Sequence, residues 1–436
     1  MNALQLITLG GIMLAQASAA YELHEWGTFT TVSGSDGALL SGLQREEEPL
    51  PPFVHSHIGF ENGNAADPEK IAKLRKSHRW IPIGQKGMDG RPLSGVTVKM
   101  ETPVIYFYSE KGFQAHVEVG FNGGTISQWF PSRSGGESPP EPAPTNQVEI
   151  NQTNQDNADA WKLDFSKGWN GSIEWDAQVL SPEESARALI FKPGDTVNWL
   201  RARVPGANAV RTSDGETENY LFYRGIGNFQ PGLKLTVSAD ESLHLENQTD
   251  GKIPFLLVYE NLGDGTVRWK SMKQGLGNLE AAECPESSFT TEGKDFPIAV
   301  YRSMQQGLRS CGLTEDEANA MVQTWWTSYF MTPGLRVFWV LPDSTTERIL
   351  PLKVSPEPEK IVRVLVGRSE VLRPNQEAQW LMLANSKQDF DQSQWSNLVN
   401  ADRFGLAIGE RVANLQQSIS EKATAATAGK HAAVAP

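Results

Sequence analysis

The stretch from Glu101 to Phe130, ETPVIYFYSEKGFQAHVEVGFNGGTISQWF, constrains the fold most, because it has the pattern of three consecutive strands. Val104–Tyr108 is a continuous apolar and aromatic run, which is typical of a strand covered on both faces. Phe113–Phe121 alternates apolar with polar residues, the period of a half-buried strand. Short glycine-containing turns separate the three segments. We therefore predict an antiparallel meander whose polar face carries His116 and Glu118 side by side.

A second β-rich region extends over residues 219–270. Leu233–Ala239 alternates apolar with polar residues, Ile253–Tyr259 is fully apolar, and Asp264-Gly265 is a hairpin turn signal. Several short strands at this spacing are typical of a β-sandwich. The Cys–Trp–Cys pattern of immunoglobulin domains is absent, so the topology stays open. The predicted fold class is mainly β, with antiparallel β-sandwich-like units.

Two helical regions interrupt the strand pattern. Apolar residues at helical spacing, followed by a capping box at Thr314–Glu317, predict a two-helix insert at about 297–331. The spacing of the apolar residues from Phe404 to Ile419 predicts a C-terminal helix.

Composition divides the chain into segments. Residues 131–158 are rich in Pro, Gly, Ser, Asn and Gln and have few residues that could pack a core. The predicted organisation is a signal peptide at 1–20, an N-terminal β-rich domain at 21–130, a linker or long loop at 131–158, a β-sandwich-like domain with the helical insert at 159–384, a C-terminal helical segment at 385–422 and a disordered tail at 423–436.

The N-terminal segment predicts export. Leu4–Leu14 is apolar, and small residues that suit signal peptidase follow it, although no Lys or Arg precedes it. An uncleaved anchor is the alternative, but this apolar segment is short for a bilayer. We predict a secreted or periplasmic protein with no integral membrane segment after signal cleavage. In an exported chain, Cys284 and Cys311 are most simply explained as a disulfide bond.

The net charge of −13 argues against a nucleic-acid partner and against docking to anionic lipid, since both require a basic surface. The sequence has no GxSxG, HExxH or P-loop motif and no complete GxGxxG motif. Their absence argues against several common enzyme classes.

Histidines form the first candidate site. His55-Ser56-His57 has strand spacing at which both rings point to the same face and can bind one metal ion. His24 lies in another predicted strand, and His116 shares a strand face with Glu118. We predict His24, His55, His57 and His116 as ligands of zinc or another divalent transition metal, with a nearby carboxylate as base. The alternative is that each histidine is exposed or makes a single hydrogen bond.

Tryptophans form the second candidate site. Trp169 and Trp175 lie near Glu174 and Asp176. Indole rings stack on sugar faces, and two carboxylates can act as acid and base in glycoside hydrolysis. The alternative is that Trp175 alternates with Ile173 as an inward-facing core residue.

Two functional hypotheses follow from these patterns. The first is an exported β-sandwich protein that binds a cell-surface or extracellular component, a carbohydrate or a protein, without catalysis. The second is an exported hydrolase that uses either the histidine-bound metal or a carboxylate pair near Trp169–Asp176.

Overall fold

The structure is a computed structural model that describes residues 20–48, 50–56, 60–61, 64–65, 93–137, 163–188, 191–293 and 297–432. Residues 1–19 of the predicted signal peptide, the predicted ligand His57 and residues 138–158 of the predicted linker lie outside this part of the chain.

Strands make up the largest share of the regular structure. The described strands are β1 (Tyr21–Ser33), β2 (His55–Ser56), β3 (Phe60–Glu61), β4 (Asn64–Ala65), β5 (Leu93–Ser94), β6 (Val98–Met100), β7 (Val104–Ser109), β8 (Phe113–Asn122), β9 (Gly124–Phe130), β10 (Leu163–Asp164), β11 (Asn170–Val179), β12 (Val210–Thr212), β13 (Thr217–Glu218), β14 (Leu221–Gly227), β15 (Leu233–Val237), β16 (Leu243–Asn247), β17 (Leu256–Asn261), β18 (Val267–Met272), β19 (Ala281–Cys284), β20 (Thr290–Glu292), β21 (Gly334–Val340), β22 (Leu352–Ser355) and β23 (Lys360–Val371). The mainly β prediction is therefore confirmed.

The described helices occur as two pairs, one single helix and a C-terminal group of three. The described α-helices are α1 (Pro182–Arg187), α2 (Val197–Ala202), α3 (Ile298–Ser310), α4 (Glu315–Thr324), α5 (Asp343–Ile349), α6 (Pro374–Asn385), α7 (Asp389–Ala401) and α8 (Gly405–Ala432). A π-helix at Trp326–Phe330 follows α4, and single 3₁₀ turns lie at Phe165–Lys167 and Glu286–Ser288. The predicted two-helix insert is confirmed as α3 and α4, and α4 begins with the predicted capping box.

The predicted C-terminal helix is confirmed as α8, but it is longer than expected. It continues to Ala432, so residues 423–432, which we predicted to be disordered, are helical. This segment has no core-forming side chains, yet it is rich in alanine, the best helix former. A helix that has already nucleated extends at little cost through such residues.

One large mixed sheet organises the molecule, with β1 at its centre. On one side β1 pairs in parallel with β23, from Glu22↔Lys360 to Ser33↔Val371. On its other side it pairs antiparallel with β7 and then with β6. All of β1 except Glu22 is buried, because neighbours flank both edges and side chains cover both faces.

The predicted meander is wrong in its pairing, although its three strands exist as β7, β8 and β9. In the described sheet β7 pairs with β1 and β14, β8 with β11 and β22, and β9 with β2, β11 and β14. The alternation of β8 is confirmed, since Ala115, Val117, Val119 and Phe121 are buried. Alternation specifies which face of a strand is buried but not which strand lies beside it.

The large sheet includes strands from both predicted β-rich domains, since β8 pairs with β11 and β1 with β23. The start of the predicted linker also contacts the sheet, because Gly135 forms a bridge with Glu174. The composition break at 131–158 therefore does not separate two sheets.

Two hydrophobic clusters cover opposite faces of the sheet. Leu23 and Phe29 of β1 belong to the first cluster, whereas Trp26, of opposite parity, belongs to the second. The first cluster also includes the small sheet of β15, β16 and β19. The second includes the buried sides of α3 and α4. A third cluster lies around Val32 and the C-terminal helices.

The predicted disulfide bond is not present, because Cys284 and Cys311 are both free thiols. Cys284 lies on β19 in the first cluster, and Cys311 ends α3 beside the second. The large sheet lies between these two clusters, so the two sulfur atoms are kept apart. Burial raises the pKa of both thiols, that of Cys311 to about 11.

Candidate functional site

His24 is the predicted site residue with the most developed surroundings. It lies on β1, is buried, and contacts α4 across the second hydrophobic cluster. Its Nδ1 lies 3.0 Å from both carboxylate oxygens of Glu317, and its Nε2 lies 3.4 Å from Oε2 of Glu22. The imidazole therefore connects a buried carboxylate to one that is half-exposed.

Glu317 is held by four contacts. Besides the two from His24, Oε1 accepts a hydrogen bond from the Tyr108 hydroxyl at 2.8 Å, and Oε2 accepts one from the Thr314 backbone N–H at 2.8 Å. Burial raises the pKa of the Glu317 carboxyl, but the interactions with His24 and the other donors outweigh burial and leave the pKa below its ordinary value. Glu317 is therefore an ionised anchor that fixes the His24 and Tyr108 side chains.

A cleft of 650 Å³, which we call the N-terminal cleft, opens beside this anchor. Its lining includes Tyr21 and Glu22 of β1, Tyr108 of β7, and Glu110 and Glu359. Its volume falls within the range of small-molecule sites. Asn208 helps to shape the cleft, since its side chain bonds the backbone of Ser109 and of Leu180.

The charge in the N-terminal cleft is negative. Glu22, Glu110 and Glu359 line it, and its lining contains no Lys, Arg or His among the described residues. Lys360 lies 2.9 Å from Glu22, and this hydrogen bond is the main cause that lowers the pKa of the Glu22 carboxyl. The cleft thus presents carboxylates next to the half-buried ring of Tyr108.

The structure does not bring the described histidines of the predicted metal site together. His55 Nε2 lies 2.7 Å from Oε2 of Glu216, and His116 Nδ1 lies 2.8 Å from Oδ1 of Asp176. Each is thus paired with a carboxylate other than the Glu317 that holds His24. No group of three or more His, Cys, Asp or Glu side chains in the described part of the chain could hold a metal ion.

The two predicted substrate-binding tryptophans have different surroundings. Trp175 is fully buried and its Nε1 donates to the carbonyl of Pro131, so its faces cannot stack on a sugar ring. Trp175 is therefore an inward-facing core residue, which was the alternative interpretation of its alternation with Ile173. Trp169 is half-buried and donates to the carbonyl of Asp164. A sugar contact by Trp169 stays a prediction.

Sequence reasoning missed Tyr108 and Glu317 as partners of His24. The sequence predicts a buried strand at Tyr108 and a capping box at Glu317, and neither pattern indicates a contact with His24. That capping box does form, with Thr314 as the N-cap residue. The sequence carries no signal beyond this capping box that distinguishes Glu317 from Glu315 and Asp316 in the same helical turn.

No helix in the residues that the structure describes combines the length and the apolar composition needed to cross a bilayer.

No protein-family model matches the chain, and no curated protein matches it. Among solved structures, the chain is similar to the Mu homology domain of Fcho1 from Danio rerio, solved with a bound Eps15 peptide. The identity is 9%, and the match covers 82% of this chain and 99% of the other, with a TM-score of 0.28. A likeness at this level does not define the fold.

Proposed function

We propose that the protein is an exported binding protein and that the N-terminal cleft takes a positively charged group of a cell-surface or extracellular partner. The observation that carries this proposal is the convergence of Glu22, Glu110 and Glu359 on a cleft whose described lining has no cationic side chain. Carboxylates attract ammonium and guanidinium groups, and the Tyr108 ring offers a face for a cation–π contact. A lysine or arginine side chain of a protein partner fits this chemistry.

The anchor behind the cleft supports a binding role. His24, Glu317 and Tyr108 hold one another in the described structure, so the aromatic wall is fixed before any ligand arrives. A wall that is already ordered loses less conformational entropy on binding than a mobile one. The same contacts engage the His24 ring on both nitrogens. This arrangement favours a role of His24 in positioning the Tyr108 ring over a role in proton transfer.

We further propose that the small sheet of β15, β16 and β19 packs on the large sheet in the manner of a β-sandwich. Leu235 and Leu245 of the small sheet share the first hydrophobic cluster with Leu23 and Phe29 of β1. Side chains that interdigitate between two sheets are the hallmark of sandwich packing.

The alternative of a metal-dependent hydrolase has weaker support, because the three described histidines each contact a different carboxylate. The alternative of a carbohydrate site at Trp169–Asp176 loses one of its two stacking rings, since Trp175 is buried. Binding of a cationic group in the N-terminal cleft requires neither a histidine metal site nor a pair of stacking tryptophans.

The proposal predicts that a capped tetralysine peptide binds the mature protein and that E22Q/E110Q/E359Q weakens this binding. Three exposed carboxylate–ammonium pairs of about 0.5 kcal/mol each correspond to about a tenfold loss of affinity. Isothermal titration calorimetry in 0.15 M NaCl measures the change.

The matched control is E246Q/E315Q/E421Q, which removes the same charge from exposed positions on β16, α4 and α8. We expect it to keep the affinity within about twofold of the native value, because distant exposed charges are screened at this salt concentration. An equal loss in both triple variants would show that only the net charge matters. Absence of saturable binding by the native protein would also contradict the proposal.

A further inference from the structure

A buried row of three polar side chains, two of them cationic, crosses the centre of the large sheet. Thr30 of β1 pairs with Lys99 of β6 on one side and with Arg368 of β23 on the other. Residues paired in this way point to the same face of a sheet. Lys99, Thr30 and Arg368 each have 0% of their surface exposed.

Further charged residues surround this row, and we call the whole set the cationic cluster. Arg336 and Arg403 contact Glu370, which also lies 2.7 Å from Arg368. Lys99 also belongs to the cluster. Its last cationic member is Arg224 on β14, which is buried. Lys99, Arg224, Arg336 and Arg368 are buried, whereas the Arg403 side chain is 19% exposed. Burial of four cations is costly unless anions compensate them.

The sheet and helices do not supply enough negative charge for this compensation. Among the described residues, the cations of the cluster are Lys99, Arg224, Arg336, Arg368 and Arg403, and the carboxylates contributed beside them are Glu101 and Glu370. Five cations against two carboxylates leave an excess of three positive charges.

A short irregular segment, Glu46–Glu48, supplies the missing charge. Glu47 lies 2.5 Å from Lys99 and 2.9 Å from Arg368, and it also contacts Arg403. Glu46 lies 2.8 Å from Arg224. The three carboxylates of this segment equal the excess charge of the cluster.

Two features indicate that this segment is an imperfect occupant. Glu48 contacts Asn198 and has no cation among its described contacts. Burial raises the pKa of the Glu48 carboxyl, and the neighbouring carboxylates raise it further. The Thr30 hydroxyl, in the middle of the row, makes no hydrogen bond within the described residues. A buried hydroxyl without a partner is costly, and a ligand that accepts its hydrogen bond would remove this cost.

We propose that the cationic cluster is a binding site for a compact anion that carries about three negative charges, as phosphate or carboxylate groups. The segment Glu46–Glu48 occupies the site in the absence of this ligand and leaves when the ligand binds. The planar guanidinium groups of Arg368, Arg224 and Arg403 suit such groups, and Thr30 donates a hydrogen bond to the ligand. This site is separate from the N-terminal cleft and does not depend on the function proposed for it.

Segment release is feasible because Glu46–Glu48 lies at the surface. Its residues are partly buried: 22% of the Glu46 side chain is exposed, whereas 3% of the Glu47 side chain is exposed. The segment therefore covers the cluster on its solvent side. It belongs to no helix or strand, and its departure breaks no ladder of the sheet. Segments of this kind open more readily than the sheet below them.

The experiment uses the native protein with tripolyphosphate and, in a second arm, citrate. We expect saturable binding by calorimetry, together with faster hydrogen exchange of the backbone amides of Glu46–Glu48 at saturation. Sodium chloride of equal ionic strength should leave that exchange unchanged. The two arms distinguish a phosphate ligand from a carboxylate ligand.

The variant E46A/E47A/E48A removes the internal competitor and should bind the preferred anion about tenfold more tightly or better, since the open site is then always available. If this variant does not fold, the single variant E46A should show a smaller gain. The control E241A/E286A removes one carboxylate partner each from Arg373 and Arg268, which keep Glu260, and should show no gain. Binding by the triple variant alone, or by neither protein, would overturn the proposal and identify the segment as a structural clamp.

Discussion

Replacement of Arg368 by Met is expected to lower the free energy of unfolding by about 3–5 kcal/mol, the cost of breaking a buried ion pair by removing one partner. The Arg368 side chain has no exposed surface and lies 2.9 Å from Glu47 and 2.7 Å from Glu370. Its guanidinium also lies 4.3 Å from the centre of the Tyr329 ring. The substitution leaves two buried carboxylates with fewer cations, and Met cannot restore the hydrogen bonds.

Urea denaturation, followed by tryptophan fluorescence, measures this loss. The control is Arg187→Met on α1, because Arg187 is 79% exposed and pairs with Glu183 at i,i+4 spacing. We expect the control to change the free energy of unfolding by about 0.5 kcal/mol or less. A loss of similar size in both variants would show that the cluster around Arg368 does not stabilise the fold as described.

Replacement of Glu317 by Gln is expected to lower the free energy of unfolding at neutral pH by about 3 kcal/mol. Each carboxylate oxygen of Glu317 faces two donor groups, including Tyr108 on one side and the Thr314 N–H on the other. An amide has a single acceptor oxygen, so its N–H₂ group must face at least one of these donors. The variant also removes the negative charge beside His24.

The pH dependence of this difference tests the cause. The pKa of Glu317 in the folded protein lies below 4.5, its ordinary value. Its contribution to stability is therefore fully present above the unfolded pKa and is lost as the pH falls through the lower folded pKa. The difference in stability between the native protein and E317Q should be constant near neutral pH and shrink below about pH 4.

The control for this prediction is Glu315→Gln in the first turn of the same helix. Glu315 is 63% exposed and contacts Arg309. We expect a change of about 0.5 kcal/mol or less. A difference between the native protein and E317Q that stays constant down to pH 3 would contradict the ionised anchor.

The sequence predicted the positions of many elements because their signals are local. The alternation in Phe113–Phe121, the Asp264-Gly265 turn and the Thr314–Glu317 capping box each correspond to the expected structure. Strand partners were not predictable, because β1 pairs with a segment that begins at Lys360, far along the chain. No periodicity within either segment encodes that parallel pairing.

The sites were harder to predict, for two physical reasons. His24 and Glu317 are brought together only when α4 packs on the sheet, so their spacing in the sequence carries no information. Glu46–Glu48 is a run of like charge, and because such runs usually face water, the sequence does not indicate that these carboxylates contact buried cations. Its ion pairs are made with cations on three different strands and with Arg403 in the turn before α8, residues that are far apart in the sequence.

Carbodiimide cross-linking of the native protein to the capped tetralysine peptide, followed by peptide mapping, tests most directly whether the N-terminal cleft binds a cationic partner. The reagent joins an amine to a carboxylate that it contacts, so the coupled residues mark the binding site. We expect coupling at Glu22, Glu110 or Glu359. An excess of the same peptide with acetylated lysines should suppress this coupling only weakly. Coupling spread evenly over exposed carboxylates such as Glu246 and Glu421, with none favoured in the cleft, would contradict it.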